Sequence, residues 1–433
     1  MYFGFYEREI TPPIGCDMPG YYSERLSIGV LDKLYAKVLL ISEDKENLNN
    51  AVALISVDAV ELNRDFCEKV SLRAEKLTGI KSENVSVTAT HTHLGVPSGD
   101  PVSKKDDGFM DMLALWCADL VLNAKANLTL GSMSFSEGKV KDIAFIRDYY
   151  LTDGTICTNP GGALKDKIIK PYSEFNEELY LLSFKDTEGK LLGAIWEFAC
   201  HQDCVGGLKY SGDYSSEVAR CLKDKFGKAF VSVYFPGASG DINNLDFIGG
   251  KTKSYIEMGK IIAAEISDII EKGEEIKETK IKINSDRVDV KIRRATESEK
   301  ARAQIVVDDP ENNKDIHVML GKTMAWLLLD FEKEMENKPC FESLPIKVIN
   351  IDDLYIFILP GEIYHQFESK IREEYKNKKV FVTTLSNSEG GYFPIPEVFG
   401  TYVYPTQLCR GSRFIKEGGD ILINKAVELA KNL

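Results

Sequence analysis

The sequence predicts an α/β fold in which mixed β-sheets are flanked by helices. Short β-branched or apolar runs alternate along the chain with longer segments whose apolar residues have helical spacing. One helix-like segment lies between two such runs, a pattern typical of a βαβ unit. No linker, repeat or low-complexity tract divides the 433 residues. This favours one compact unit over residues 1–433, with an arrangement in two lobes as the open alternative.

The N-terminal half carries the βαβ pattern. Residues 34–40 and 51–57 are apolar runs separated by a polar turn, which predicts a hairpin. Residues 64–77 have the apolar spacing of a crossover helix. The β-rich run at 84–91 then returns the chain to the same sheet. His91 is therefore expected at the C-terminal end of a strand.

Strands and helices keep alternating after this unit. Further strands are predicted at 191–200, 229–235, 280–292, 354–359 and 380–385, further helices at 215–226, 255–271, 316–335 and 363–375, and Asp420 as the cap of a final helix. The strand at 280–292 alternates apolar and charged residues, as an edge strand does. Several strands end directly before residues that can carry chemistry.

The composition excludes several classes of partner. Hydrophobic residues make up 44% and charged residues 28% of the chain, which is typical of a globular protein. The formal net charge of -13 disfavours nucleic acid. No apolar run reaches the ~20 residues of a membrane-spanning helix, and the N-terminus has no secretory pattern, so a cytoplasmic location is expected. The nine cysteines have no CxxC spacing and are predicted to be reduced thiols.

The five histidines include a closely spaced pair. His91 and His93 stand in Thr-His-Thr-His directly after a predicted strand, and residues i and i+2 of an extended segment share a face. Both imidazoles can therefore reach one metal ion, and two hydrogen-bonding loop histidines are the alternative. His201 also follows a predicted strand, which makes a third imidazole available at the same edge.

Two further strand ends carry oxygen ligands. Glu362 stands in Leu-Pro-Gly-Glu after the strand at 354–359. Its alternative role is that of a carboxylate in the first turn of a helix, where the helix dipole favours it. Tyr392 stands in the glycine-rich loop Gly-Gly-Tyr-Phe-Pro, where plain packing is the alternative. Cys200 and Cys204 flank His201, but a lone CxxxC is a weak metal motif.

These motifs together resemble the catalytic domain of the neutral, non-lysosomal ceramidase family. Thr-His-Thr-His, the histidine of a second strand, Pro-Gly-Glu and a downstream tyrosine occur here in the family's order. Supporting matches lie at residues 9–15, 20–21, 29–36 and 240–243, so that the resemblance spans nearly the whole chain. The C-terminal β-sandwich domain of the long ceramidases is not expected.

The resemblance implies a set of site residues. Zinc would be bound by His91, His201, Glu362 and Tyr392, while His93, Arg147 and Tyr404 would line the reacting centre. The match at Arg147 is the loosest, because Ile-Arg-Asp only approximates the family's Asn-Arg-Ser. Tyr404 begins Tyr-Pro-Thr, where the family has Tyr-Glu-Gly or Tyr-Glu-Ala. Sphingolipid metabolism is the implied setting, with the N-acyl substrate itself left open.

The implied ligands predict a reaction. Two imidazoles, one carboxylate and one phenol oxygen suit Zn²⁺ and leave room for water. Zinc activates water and polarises an amide carbonyl, so a hydrolase of a linear amide bond in a small N-acylated substrate is expected. Since four ligands are present without it, His93 is expected to carry the proton from water to the leaving amine. Arg147 or Tyr404 is expected to stabilise the oxyanion.

Three rival interpretations use parts of the same pattern. A TIM-barrel metal amidohydrolase also carries HxH at a strand end, but it needs more ligands than His201, His317 and His365 offer. A serine hydrolase is disfavoured because Gly-Ala-Ser-Gly-Asp at 237–241 lacks the last glycine of GxSxG. A non-catalytic metal-binding protein would use the same four ligands without needing His93 and Tyr404. Activity assays distinguish these classes.

Overall fold

The computed structural model describes residues 1–100, 102–309 and 321–433. Its helices are α1 (Arg64–Thr78), α2 (Asp107–Ala126), α3 (Asp213–Phe226), α4 (Tyr255–Ile269), α5 (Glu297–Asp308), α6 (Gly321–Glu334), α7 (His365–Glu374) and α8 (Gly418–Lys431). No described helix has both the length and the apolar character needed to cross a membrane.

The strands form two large sheets and several short pairings. They are β1 (Tyr2–Glu9), β2 (Gly29–Val30), β3 (Tyr35–Ser42), β4 (Val52–Val57), β5 (Val85–Ala89), β6 (Thr129–Lys139), β7 (Phe145–Ile146), β8 (Asp148–Leu151), β9 (Ile156–Thr158), β10 (Ile168–Pro171), β11 (Glu178–Asp186), β12 (Leu191–Phe198), β13 (Lys209–Tyr210), β14 (Val231–Pro236), β15 (Ile242–Asn243), β16 (Glu274–Glu275), β17 (Ile281–Lys291), β18 (Phe341–Ile351), β19 (Leu354–Ile358), β20 (Glu362–Ile363), β21 (Lys379–Thr383) and β22 (Tyr392–Phe393).

The larger sheet runs in the order β14-β12-β11-β6-β1-β3-β4-β5, with β16 beside β6. The pairs β4–β5 and β12–β14 are parallel, whereas the strands between them pair antiparallel. The two ends of the sheet approach each other, since Ser56 Oγ on β4 donates to Tyr234 O on β14 at 2.6 Å. The sheet curls without closing into a barrel, and its mixed pairing shows that the TIM-barrel alternative is wrong.

The second sheet, β17-β18-β19-β21, packs against the first. One buried apolar cluster joins both sheets and includes Phe3, Leu39, Leu54, Ile349, Ile356 and Phe381. The edges also touch, because Asn387 Oδ1 accepts a hydrogen bond from Val87 N at 3.0 Å and Ser386 Oγ lies 2.7 Å from Thr88 Oγ1. The C-terminal ends of β5 and β21 therefore lie side by side.

Most predicted elements are confirmed. The hairpin β3–β4, the crossover helix α1 and the parallel return strand β5 all form, and β17 lies at the edge of its sheet. Asp420 as a helix cap is wrong, because Glu417 occupies the N-cap position of α8 and Asp420 lies in its first turn. The alternative role of Glu362 in a helix is also wrong, since Glu362 lies in β20 and α7 begins at His365.

Some helices were predicted incompletely or not at all from the sequence. Of the predicted helix at 316–335, the structure gives α6 from Gly321 onwards, and residues 316–320, with His317, lie outside the described residues. Helix α2 was not predicted. It packs one face on α1, β1 and β3, but its exposed face also carries the large apolar residues Met112, Leu115 and Leu122. Apolar residues on both faces hide the one-sided pattern that predicts a surface helix.

Phe357→Ala is expected to test the packing of the second sheet. Phe357 lies on β19 and is fully buried in the apolar cluster beneath α7 and α8. Truncating such a side chain leaves a cavity, and the free energy of unfolding should fall by ~3–5 kcal/mol. Urea unfolding measures the change, with Phe341→Ala on β18 as the control because Phe341 is exposed. Equal effects of the two substitutions would contradict this packing.

Candidate active site

His91 is held by the backbone that follows β5. Its amide N donates to Ala59 O at 2.8 Å, and its φ of 72° lies in the left-handed region. A non-glycine residue there costs ~1–3 kcal/mol and persists only where its surroundings fix it. His91 Nδ1 lies 2.8 Å from Val60 O. Nδ1 therefore carries the proton and donates, which leaves the Nε2 lone pair facing the cleft.

His201 is fixed in the same way after β12. Its Nδ1 lies 2.8 Å from Ser239 O and 3.0 Å from Ile242 O. These carbonyls belong to the loop after β14, so the strand end next to β12 orients the ring. Gly240 in this loop lies so close to β20 that a Cβ there would be 2.7 Å from Glu362 O. Because glycine has no Cβ, the loop can pack directly against β20, the strand that carries Glu362.

The carboxylate of Glu362 faces both imidazoles. Its Oε2 lies 3.2 Å from His91 Nε2 and 3.1 Å from His201 Nε2. Because the backbone carbonyls hold a proton on Nδ1 of each ring, the neutral form of each ring presents a bare Nε2 to this oxygen. His91 Nε2 and Glu362 Oε2 are buried without a hydrogen-bond partner among the described residues. Three lone-pair atoms converging without a proton fit a cation better than they fit each other.

His93 completes a group of three imidazoles. Its ring centroid lies 5.0 Å from that of His91 and 6.1 Å from that of His201. The ligand atoms of the three histidines all lie within 4.8 Å of one another, so the group is able to hold a metal ion. Within the described part of the chain, neither ring nitrogen of His93 has a well-formed hydrogen bond. The ring of His93 thus lacks the orienting partner that the other two rings have.

Burial and charge set the protonation states. Burial, and then Arg147, lowers the pKa of His201 to about 4. Burial, and then His91, lowers the pKa of His93 well below its ordinary value. Burial acts to raise the pKa of Glu362, but the charge of His91 outweighs it and the pKa falls well below its ordinary value. Burial acts to lower the pKa of His91, but the charge of Glu362 outweighs it and the pKa is raised. The neutral imidazoles of His93 and His201 and the ionised carboxylate of Glu362 are in the forms that metal ligands require.

Tyr392 and Arg147 lie against this group. Pairing of β20 with β22 places Tyr392 directly beside Glu362. The guanidinium Cζ of Arg147 lies 5.2 Å from the centre of the Tyr392 ring, and its Nη1 lies 3.4 Å from His201 Nε2. Arg147 Nη2 donates to Gly240 O. Arg147 is therefore buried behind His201 and the loop after β14.

Tyr404 closes the group on the other side. Its ring centroid lies 5.6 Å from that of Tyr392, and its hydroxyl shares a hydrogen bond with the Tyr22 hydroxyl. Its backbone N donates to Thr158 Oγ1 at 2.9 Å. The structure thus brings all the residues singled out in the sequence into one cluster, namely His91, His93, Arg147, His201, Glu362, Tyr392 and Tyr404.

A cavity of about 390 Å³ opens in front of this cluster and includes residues that the sequence did not single out. Glu61 and Tyr22 both line it. Glu61 follows β4, which is parallel to β5, so its place beside the His91 segment was readable from the βαβ pattern. Tyr22 lies in an irregular loop, and only its neighbours Gly20 and Tyr21 belong to a motif recognised in the sequence.

The comparison with known proteins rests on structure. No family model and no curated protein sequence matches the chain. The neutral ceramidase from Pseudomonas aeruginosa matches with a TM-score of 0.73 and 18% identity, covering 99% of this chain and 74% of that one. The chain has the neutral ceramidase fold. A ceramidase complexed with C2 matches with a TM-score of 0.71 and 16% identity over the same shares.

The neutral ceramidase fold confirms two predictions. The mixed α/β architecture is the expected one, and the resemblance drawn from short motifs holds over nearly the whole chain as a likeness of fold. In this fold the ends of β5, β12, β19 and β21 lead into the segments that carry His91, His201, Glu362 and Tyr392. The predicted placement of the cluster at C-terminal strand ends is therefore what the structure has.

Proposed function

We propose that this protein is a zinc-dependent hydrolase that cleaves the amide bond of an N-acylated substrate, with residues 1–433 forming one catalytic unit. The observation that carries the proposal is the convergence of His91 Nε2, His201 Nε2 and Glu362 Oε2, with both rings held at Nδ1 by backbone carbonyls. The neutral ceramidase fold supports an amide as the bond that is cleaved. Ceramide and related sphingolipids therefore belong among the substrates to be tested.

The proposed zinc ligands are His91, His201, Glu362 and Tyr392. The donor set fits zinc, since imidazole nitrogens at ~2.0–2.1 Å and carboxylate oxygens at ~2.0–2.2 Å are its usual ligands. The backbone carbonyls behind the two histidines supply the outer hydrogen bonds that fix ligating imidazoles. Among the residues that the structure describes, His93 has no such partner, which supports a role beside the metal rather than in its coordination shell.

When bound, zinc supplies Lewis-acid polarisation of the amide carbonyl and activation of water. Hydrolysis consumes one water, breaks the C–N bond and gives a carboxylate and a protonated amine. Neutral His93 accepts a proton from the attacking water and gives it to the leaving nitrogen. Burial raises the pKa of Tyr404 well above its ordinary value, so its hydroxyl keeps its proton and donates to the oxyanion. Arg147, which packs behind His201, is a positioning residue.

Metal content is the first test of this proposal. Purified, zinc-supplied protein is expected to hold about one zinc per chain. Removal by a chelator should abolish amide cleavage and lower the melting temperature, because a ligand bound only by the folded state stabilises that state. Elemental analysis, a thermal melt and an amine-release assay measure the three quantities. Metal-replete protein that contains no zinc would end the assignment.

A substrate panel distinguishes an amide hydrolase from the alternative functions. Ceramides, N-acyl amino acids and N-acyl amino sugars each release a free amine when cleaved, and at least one class is expected to do so. Cleavage of esters or phosphoesters alone would contradict an amidase. Stoichiometric zinc binding without any cleavage would instead favour the non-catalytic metal-binding protein.

A further inference from the structure

Polar side chains and tyrosine rings make up most of the residues that line the active-site cavity. Its volume, about 390 Å³, lies in the ~300–1,000 Å³ range of small-molecule sites. Among the described lining residues, the apolar side chains other than aromatic rings are those of Val60, Leu327 and Cys409. Alkyl chains gain free energy in proportion to the apolar surface removed from water. This wall therefore offers little to a ligand with long alkyl chains.

Several charged groups of the wall are already satisfied within the protein. The Asp100 carboxylate accepts hydrogen bonds from the backbone N of Gly20 at 2.9 Å and of Ser103 at 2.7 Å. Arg413 is paired with Glu342 at 2.8 Å. These groups shape the cavity, and their hydrogen-bonding capacity is largely used by their protein partners.

Other polar groups of the wall lack such partners. No hydrogen bond to the Glu61 carboxyl forms among the described residues, and Glu389 accepts only a long one, from Arg64 N at 3.3 Å. The Ser103 side chain lines the cavity at 4% exposure, and its Oγ has no partner in the described part of the chain. Buried polar groups in native proteins are nearly always hydrogen-bonded, so the buried Ser103 hydroxyl indicates a ligand that supplies the missing bond. The half-buried carboxyl groups of Glu61 and Glu389 face the same cavity.

The charges of these groups and their capacity to donate or accept hydrogen bonds indicate the chemistry of that ligand. The carboxyl oxygens of Glu61 and Glu389 accept hydrogen bonds, and the Ser103 hydroxyl both donates and accepts. A ligand ammonium would also meet the cationic side chain of Arg410 in the same wall, and a ligand carboxylate would meet Glu389. A neutral hydroxyl group, which both donates and accepts, matches all of them.

We propose that the substrate is an N-acylated amine whose amine half carries several hydroxyl groups, as in an N-acyl amino sugar. Glu61, Glu389 and Ser103 bind these hydroxyls and determine specificity. The inference rests on the proposed amide hydrolysis and narrows its substrate from N-acyl compounds in general to polar, polyhydroxylated ones. The site is then specific against a lipid amide, because a lipid would leave the buried Ser103 hydroxyl unpaired and would displace water from the carboxyl groups of Glu61 and Glu389 without replacing its hydrogen bonds.

A set of amides that differ in polarity tests the inference. N-acetylated aminohexose and N-acetylcyclohexylamine have rings of the same size, but the second lacks hydroxyls. The zinc-loaded enzyme should cleave the first with a kcat/KM at least ~10²-fold higher, as expected of a site built to hydrogen-bond hydroxyls. 4-Nitroacetanilide and a short-chain ceramide complete the set. The anilide reports amide hydrolysis independently of hydroxyl recognition.

Substitutions in the cavity wall test whether these residues cause the preference for a hydroxylated amide. Ser103→Ala and Glu389→Gln should each lower kcat/KM for the aminohexose amide ~10-fold, mainly by raising KM. The reason is that loss of one hydrogen bond weakens binding about tenfold. The loss on the anilide should be smaller. Binding of the free aminohexose, measured by calorimetry, should weaken in parallel. Glu46→Gln, in the exposed turn between β3 and β4, is the control.

The outcomes separate this inference from the proposed function. Cleavage of the anilide or ceramide with no preference for the aminohexose amide would overturn the inference and leave the amidase standing. Equal losses of both variants on the anilide and the aminohexose amide would also overturn it. If no amide in the set is cleaved by zinc-loaded, folded protein, the proposed function fails and the inference falls with it.

Discussion

His91→Ala and His93→Ala are expected to differ in metal content. The Nε2 atom of His91 faces Glu362 at 3.2 Å, and its Nδ1 is fixed by Val60 O. Loss of one ligand from a four-coordinate site should strongly weaken zinc binding, so His91→Ala should be metal-poor. Neither ring nitrogen of His93 has a well-formed hydrogen bond to any described residue. His93→Ala should retain zinc and lose ~10²–10⁴ in kcat, the usual effect of removing a general acid/base.

A second substitution at position 91 guards against a folding defect. His91 has a φ of 72°, and asparagine tolerates the left-handed region better than alanine does. His91→Asn should fold with a melting temperature near that of the chelated wild type and still be metal-poor. Zinc analysis and turnover on the purified variants decide the roles. Metal loss in His93→Ala alone would reverse them, and equal loss in both would indicate a three-histidine site with His201.

Tyr404→Phe is expected to lower kcat by ~10²–10³, the usual effect of removing one oxyanion donor. The phenyl ring keeps the packing against Tyr392, and the backbone bond from position 404 to Thr158 is unaffected. Zinc content should not change. KM should change much less than kcat, because the lost hydrogen bond forms mainly in the transition state. Steady-state kinetics on the best amide of the panel measure both constants.

Tyr22→Phe is the matched control for Tyr404→Phe. The two hydroxyls share one hydrogen bond, and both side chains line the cavity. If Tyr404 is the donor, Tyr22→Phe removes only the partner of that hydroxyl, and its loss in kcat should stay below that of Tyr404→Phe by at least ~10-fold. A larger effect at Tyr22 would assign the oxyanion donor to Tyr22 instead.

Local pattern was sufficient for most of the elements that hold the cluster. The apolar runs of β4, β5, β12 and β19 are strongly biased towards strands, and a polar residue of the site follows each of them within four residues. In the β4–α1–β5 unit, the helical crossover also predicts that the two strands are parallel. Prediction failed where apolar residues on the exposed face hid the one-sided pattern, as in α2, and where a single residue set the boundary, as at the start of α8.

The convergence of the site residues required the tertiary structure. His91 and His201 follow β5 and β12, which lie near opposite ends of the larger sheet. They meet because the sheet curls until β14 contacts β4, and because the second sheet brings Glu362 and Tyr392 to the same place. The sheet curl and the packing of two sheets depend on contacts between residues far apart in the chain, which no local pattern encodes.

The sequence by itself determined the residue types, their order and their positions at strand ends, because these follow from apolar periodicity and a few short motifs. Only the tertiary structure decided which ring nitrogen of His91 and of His201 donates to the backbone, the burial that shifts the pKa of His201, and the cavity with Glu61 and Ser103. Each of these depends on which groups lie within a few ångströms of each other. Long-range packing, rather than neighbours in the chain, sets those distances.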